Sequence, residues 1–223
     1  MKKFLSAALA AIILMVSVLS LNVFAAESTK TEALLAKLNE AKEVSVTLTA
    51  GDLNFLGKAT GATDTIYIKG GNVAYEYKTN FVTARIVLDN NALYGFIPAF
   101  PIFYVKLDTP SLSNLDVWGL IEGATNVTLS VLQYVKSYNE TVKGKTYYVE
   151  EFNDRAQVTS KFYYDGDDLK ILKVTDAKTL SVQNTYFEKI SFTVDDSVFK
   201  RPVLALNLTP FFKAFFLSMI VPK

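Results

Sequence analysis

The 223-residue chain contains no cysteine and no histidine. That excludes a Ser-His-Asp triad, a thiolate nucleophile, imidazole or thiolate zinc sites and disulfides, so most hydrolase and metalloenzyme classes fall away. An excess of charge of one sign is missing too. With 23 basic side chains against 22 acidic ones, no overall field draws in nucleic acid. Half of the residues are apolar, which excludes disorder, because burial of that much apolar surface offsets the entropy lost on ordering. What is left is a non-enzymatic protein with no cofactor, whose function rests on shape and apolar surface.

Residues 1–25 carry the pattern of a secretory signal peptide. Met1-Lys2-Lys3 precedes an apolar run from Phe4 to Leu21 broken only by serines, and Val23-Phe24-Ala25 follows. Cleavage after Ala25 puts Val23 and Ala25 at the two small-residue positions, whereas cleavage after Ala26 would put bulky Phe24 at one of them. The alternative is an uncleaved anchor, since the run is just long enough to cross a bilayer. Cleavage removes Lys2 and Lys3 and no acid, leaving 21 basic against 22 acidic groups. Residues 26–223 are of a length for one domain. Its place is extracytoplasmic, in a bacterial periplasm or at the cell exterior, where without disulfides the core alone supplies stability.

Within that domain, Thr29 to Lys42 places Leu34, Leu35, Leu38 and Ala41 on one helical face, with Thr29 and Glu32 spaced for a capping box. Strand patterns follow, punctuated by Gly, Asn and Asp at intervals of roughly ten residues. Thr63–Lys69 pairs with Val73–Lys78 across Gly70-Gly71-Asn72. Val82–Leu88 turns at Asp89-Asn90-Asn91 into Ala92–Phe96, and Ile102–Leu107 follows. Ser111–Glu122 reads as a second helix, with Gly123 as its stop. Strands then resume over Val127–Tyr138, Thr146–Phe152, Val158–Tyr164, Leu169–Thr175 and Gln183–Thr193, and Asp195–Lys200 closes the sheet. Asp165-Gly166-Asp167-Asp168 reads as a hairpin turn and not as a calcium loop, whose twelve-residue span and terminal Glu are missing. From Thr209 the chain is intensely apolar, with Thr209 and Pro210 suited to start a helix over about 209–221. That helix packs on the sheet, plugs a cavity, or lies at a membrane surface. The fold class is α+β, a curved antiparallel sheet with helices against one face.

The segment Ala92–Leu107 (ALYGFIPAFPIFYVKL) departs from the alternation expected of a half-covered sheet. Either this strand pair is covered on both sides, or its aromatics line a cleft that native packing leaves unfilled.

The run from Val142 to Pro202, with VKGKTYYVEEF, SKFYYDGDDLKIL and EKISFTVDDSVFKRP, resembles the second half of bacterial lipoprotein-carrier proteins of the LolA, LolB and LppX kind. The opening TEALLAKLNEAK followed by VSVTLTA is similar to that family's start. The resemblance implies an open half-barrel of about eleven strands wrapped over helices, with a concave apolar face that shelters acyl chains. The chain departs from the family in lacking the cysteine of its anchored members and in its apolar tail. None of Arg85, Arg155 and Arg201 is matched to the family's lid-controlling arginine.

These readings converge on a secreted protein that holds a lipid, a lipoprotein acyl chain or another hydrophobic ligand. Its candidate wall residues are Tyr75, Tyr77, Phe96, Phe100, Phe103 and Trp118, and no residue is a candidate catalyst or metal ligand. Its expected partners are that ligand, an envelope protein, and a membrane surface touched by the C-terminal helix. The alternative is an extracytoplasmic sensor or interaction domain that uses the same fold without a ligand. Amino-terminal sequencing of protein recovered outside the cytoplasm should begin at Ala26; a chain that still starts at Met1 would establish the anchor instead.

Overall fold

Thr29 and Glu32 close the capping box. The Glu32 N–H donates to Thr29 Oγ1 at 3.1 Å, and the Thr29 N–H donates to Glu32 Oε2 at 2.7 Å. Helix α1 (Lys30–Glu40) starts there. The structure, a computed structural model, describes residues 29–49, 61–89, 91–109, 116–129, 132–154 and 158–211. The expected signal peptide therefore lies outside the described residues, as does nearly all of the expected C-terminal helix.

Strands β1 (Glu43–Thr49), β2 (Thr63–Lys69), β3 (Asn72–Lys78), β4 (Thr83–Asp89), β5 (Ala92–Phe96) and β6 (Phe103–Asp108) form one meander. Helix α2 (Val117–Leu129) leads to a second, β7 (Gln133–Val142), β8 (Lys145–Asn153), β9 (Val158–Asp165), β10 (Asp168–Asp176) and β11 (Ser181–Ser191). The two join where β1 pairs antiparallel with β11, Val46 opposite Ile190. With β12 (Leu206–Asn207) they make one open, curved sheet in the order β12-β6-β5-β4-β3-β2-β1-β11-β10-β9-β8-β7. Turn chemistry sets the hairpins as the sequence implied. Lys143 and Gly144 both take positive φ (50° and 81°) between Val142 and its partner Lys145, as a two-residue hairpin loop requires. Asp165 pairs with Asp168 across Gly166, φ 60°, which confirms the turn reading of that acidic run.

The structure corrects the sequence reading in three places. First, α2 begins at Val117, where Asp116 Oδ1 accepts the Gly119 N–H at 2.8 Å, and it runs through Gly123 to Leu129. Gly123 is therefore an interior residue, and the strand expected from Val127 starts only at Gln133. A helical glycine costs only about 1 kcal/mol, and β-branched residues are weak evidence against a helix that tertiary packing supports. On the inward face of α2 Ile121 is buried, whereas Leu120 is exposed. Second, Asp195–Lys200 adds no strand. Asp195 caps a 3-10 turn, Asp196–Phe199, by accepting the Ser197 N–H at 2.7 Å. Third, the sheet is mixed, because β12 runs parallel to β6 with Leu206 opposite Phe103. A parallel neighbour needs a crossover, and the chain after β11 supplies one across the sheet.

The main core lies on one face. Val44, Val46, Ile66, Ile68, Tyr75, Ile86, Leu93, Phe152, Phe162 and Leu172 from the strands share a buried cluster with Leu35 and Leu38 of α1 and Val117 and Ile121 of α2. Full burial of each such aliphatic side chain contributes about 2 kcal/mol. Glu150, on β8 between Tyr148 and Phe152, faces the same way and is 1% exposed. Its carboxylate accepts the Lys30 N–H at 2.8 Å, the Thr31 N–H at 2.9 Å and the Thr31 hydroxyl at 2.6 Å. Tyr164 in turn donates to Thr31 Oγ1 at 2.9 Å. A buried acid so placed meets the first free N–H groups of a helix and the positive end of its dipole. Glu150→Ala should therefore lower the unfolding free energy by about 3 kcal/mol, and Thr29→Ala by only about 1 kcal/mol, in urea titrations. Equal losses would contradict the anchoring role.

Candidate functional site

The six aromatic candidates divide between the two faces of the sheet and its rim. Tyr75 and Tyr77 lie in the main cluster on the helix-bearing face, and Trp118 of α2 packs against it. Phe103 shares strand parity with Val105 and Leu107 of that face but sits at the sheet's end. Phe96 faces the opposite way. It is buried with Ala74 and Val87 in a second, smaller cluster closed by Tyr67, Tyr104 and Phe199. Phe100 stands in the loop between β5 and β6, 64% exposed.

This arrangement explains why Ala92–Leu107 fails to alternate. All five residues of β5 are buried, Leu93 in the main cluster and Phe96 in the second. The chain after β11 contributes Phe199 and Arg201 to the second side, with the Arg201 guanidinium 4.7 Å from the centre of the Tyr94 ring. The covered-strand alternative thus describes β5. The rim is different: Phe100, Ile102, at 56% exposure, and Phe103, at 39%, remain open beside Leu206, at 66%. Leu206 is drawn there by its N–H, which donates to the Ile102 carbonyl at 2.9 Å.

Among the described residues, three buried side-chain polar atoms have no hydrogen-bond partner: Asp64 Oδ2, Trp118 Nε1 and Ser160 Oγ. All three belong to the helix-bearing side. Asp64 shares parity with Ile66 and Ile68 on β2, and Ser160 shares parity with Phe162 and Tyr164 on β9. Asp64 is 1% exposed, and its Oδ1 accepts the Tyr75 hydroxyl. Burial pushes its carboxyl above its ordinary value, and the Tyr75 hydrogen bond opposes that shift. Sequence reasoning missed Asp64, although a readable signal was present, an acid at the inward parity of TDTIYIK.

Two grooves lie elsewhere among the described residues. One, of about 570 Å³, has a hydroxyl-rich floor of Ser45, Thr47, Thr65 and Ser191 on the opposite face, overhung by Val194 and Asp195. The other, of about 320 Å³, separates α1 from β10 and β11 between Leu34, Lys37, Leu169 and Phe192. Neither is lined by any of the six aromatic candidates. The acids of the β9–β10 turn are each taken by a lysine: Lys145 with Asp165 at 2.5 Å, Lys30 with Asp167 at 2.7 Å, and Lys170 with Asp168 at 3.0 Å. Arg85 pairs with Glu76 at 2.6 Å and Arg201 with Asp89 at 2.5 Å, and neither arginine lies in the main cluster.

No protein-family model and no curated protein sequence matches the chain. Its structural neighbours include a LolA superfamily protein. That protein, from Nitrosomonas europaea, is 14% identical, with 78% of this chain and 99% of the other covered and a TM-score of 0.25. Another neighbour is a DUF1329 family protein from Desulfovibrio piger, 12% identical, with 75% and 93% covered and the same TM-score of 0.25. Superposition at that level transfers no site residue and no activity. Among the described residues no helix is long and apolar enough to cross a membrane.

Because folding raises the Asp64 pKa, the native state holds this proton more tightly than the unfolded chain does. Its contribution is then most favourable at acid pH and is lost as pH rises from the ordinary value through the folded one. Asp64→Asn keeps an acceptor for Tyr75 and removes that loss. The variant should gain about 1 kcal/mol on the wild type between acid and neutral pH in parallel urea titrations. A difference that stays constant with pH would contradict a raised pKa.

Proposed function

We propose that this protein is a secreted, extracytoplasmic, non-enzymatic binding protein that holds a lipid or acyl chain against the helix-bearing face, which is the concave side of an open half-barrel. The observation that carries this reading is the apolar rim. Phe100, Ile102, Phe103 and Leu206 stay exposed together at the β6–β12 end of a sheet whose buried strand residues are divided among three cores. Exposed apolar residues adjoining one another mark binding grooves or interaction sites more often than chance solvent exposure. From the rim, the parity of Phe103, Val105 and Leu107 leads inward to the face where Tyr75, Tyr77 and Trp118 lie.

Binding then follows from elementary terms. Each methylene withdrawn from water contributes about 0.8 kcal/mol, and aromatic walls supply area at small entropic cost. Release requires a partner in the envelope, or contact between the apolar carboxy-terminal segment and a membrane surface. The motif resemblance seen from Val142 to Pro202 supports the same class of protein.

Trp118 is the chain's single tryptophan, so its emission reports this face directly. Titration of the mature protein with a long-chain alcohol should give a saturable emission shift. Native mass spectrometry of protein from its own host should show a bound adduct. A ligand-free spectrum together with an unresponsive Trp118 would remove the carrier reading.

A further inference from the structure

Among the described residues two acids, Asp64 and Glu150, are buried at inward strand positions, and they differ in kind. Glu150 has its carboxylate filled by two N–H groups and a hydroxyl. Asp64 is as deeply buried, yet only Oδ1 is engaged, by Tyr75, and Oδ2 has no protein partner. A structural carboxylate in an apolar layer resembles Glu150, because a buried acceptor left unpaired costs about as much as a lost hydrogen bond. Asp64 is also placed among candidate walls. Its strand partner on β3 is Tyr77, its hydrogen-bond donor is Tyr75, and its partner on β1 is Leu48.

We propose that Asp64 is the polar anchor of the ligand site, with Oδ2 accepting a hydrogen bond from the donor-bearing end of an amphiphile whose chain lies along the aromatic walls. The proposal rests on the reading of this face as a lipid site and narrows the ligand. Chains ending in a hydroxyl, amide or amine satisfy Asp64, whereas chains ending in an ether or methyl group leave it unpaired. Rejection of a ligand that cannot make such a bond is stronger than discrimination by apolar shape, because the penalty falls on the protein group left unmatched. The raised pKa of Asp64 is consistent with an acid held away from water.

A matched pair of probes tests this, dodecanol and dodecyl methyl ether, which differ in the donor and little in apolar length. Titrated against Trp118 emission, the wild type should bind the alcohol about tenfold more tightly than the ether. Asp64→Leu should reduce that preference to less than about twofold while keeping ether binding, and Asp64→Asn, which retains an acceptor, should restore part of it. Equal binding of both probes by the wild type overturns the anchor and leaves the lipid site standing. Binding of neither overturns the lipid site itself, and the anchor with it. The wild-type comparison decides the matter even where a variant fails to fold.

Discussion

Glu150 sets the geometry on which the rest depends. An ionisable group at an inward strand position carries a large desolvation penalty, and only a concentrated set of donors offsets it. The first turn of α1 supplies that set, since helix N-termini have N–H groups with no partner in the helix. The bond is also directional in a way that apolar contact is not. Leu35 and Leu38 would pack acceptably on many parts of an apolar sheet, but the Lys30 and Thr31 N–H groups bond specifically to the Glu150 carboxylate on β8. Because α1 feeds directly into β1, this contact ties the second meander to the first strand of the other. The β1–β11 pairing then closes the same loop through the backbone. Helix, seam and both halves of the sheet are thereby fixed in one arrangement.

The two sides of the sheet solve the covering problem differently. On one, α1 and α2 share a core with strand residues from Val44 of β1 to Phe187 of β11. On the other, no helix is needed over β3 to β5, because the chain after β11 crosses back and lays Phe199 on Ala74, Val87 and Phe96. Arg201 continues that cover with its ion pair to Asp89 and its place over Tyr94. This crossover is also why β12 must run parallel to β6. An excess of apolar residues in a strand therefore measures how many faces are covered, and that cover runs out beside β6, at Phe100, Ile102 and Phe103.

Features legible in the sequence are those decided by neighbours along the chain. The capping box needs only Thr29 and Glu32, and the hairpins need only Gly70, Asn91, Lys143-Gly144 and Gly166 at positions of positive φ. Features decided by distant contacts were misread. Gly123 looks like a helix stop locally, but α2 continues past it because its buried face, with Val117 and Ile121, is held by the sheet. Leu206 and Asn207 form a strand only because β6 offers an edge, and nothing in two residues announces that. Tyr75 and Tyr77 share the main cluster, and Trp118 packs against it. The turning away of Phe96 follows from parity, which places it opposite Leu93 and Gly95.

Parity carries one step further. Along β2 and β8 the inward positions read Asp64, Ile66, Ile68 and Tyr148, Glu150, Phe152, so each strand commits one acid to an otherwise apolar layer. An acid at such a position is unfavourable unless something specific meets it, and the two cases divide on what does. For Glu150 the partner is part of the chain, and the outcome is a fixed helix. For Asp64 the chain supplies Tyr75 and leaves one oxygen over. Leucine at 64 would cost less to bury, so on the anchor proposal the acid trades stability for selectivity among chains of equal length. Chain length and apolar area set how tightly such a face holds a guest, but they discriminate poorly between guests. On the anchor proposal, a single unmatched acceptor supplies the discrimination between amphiphiles that apolar area lacks.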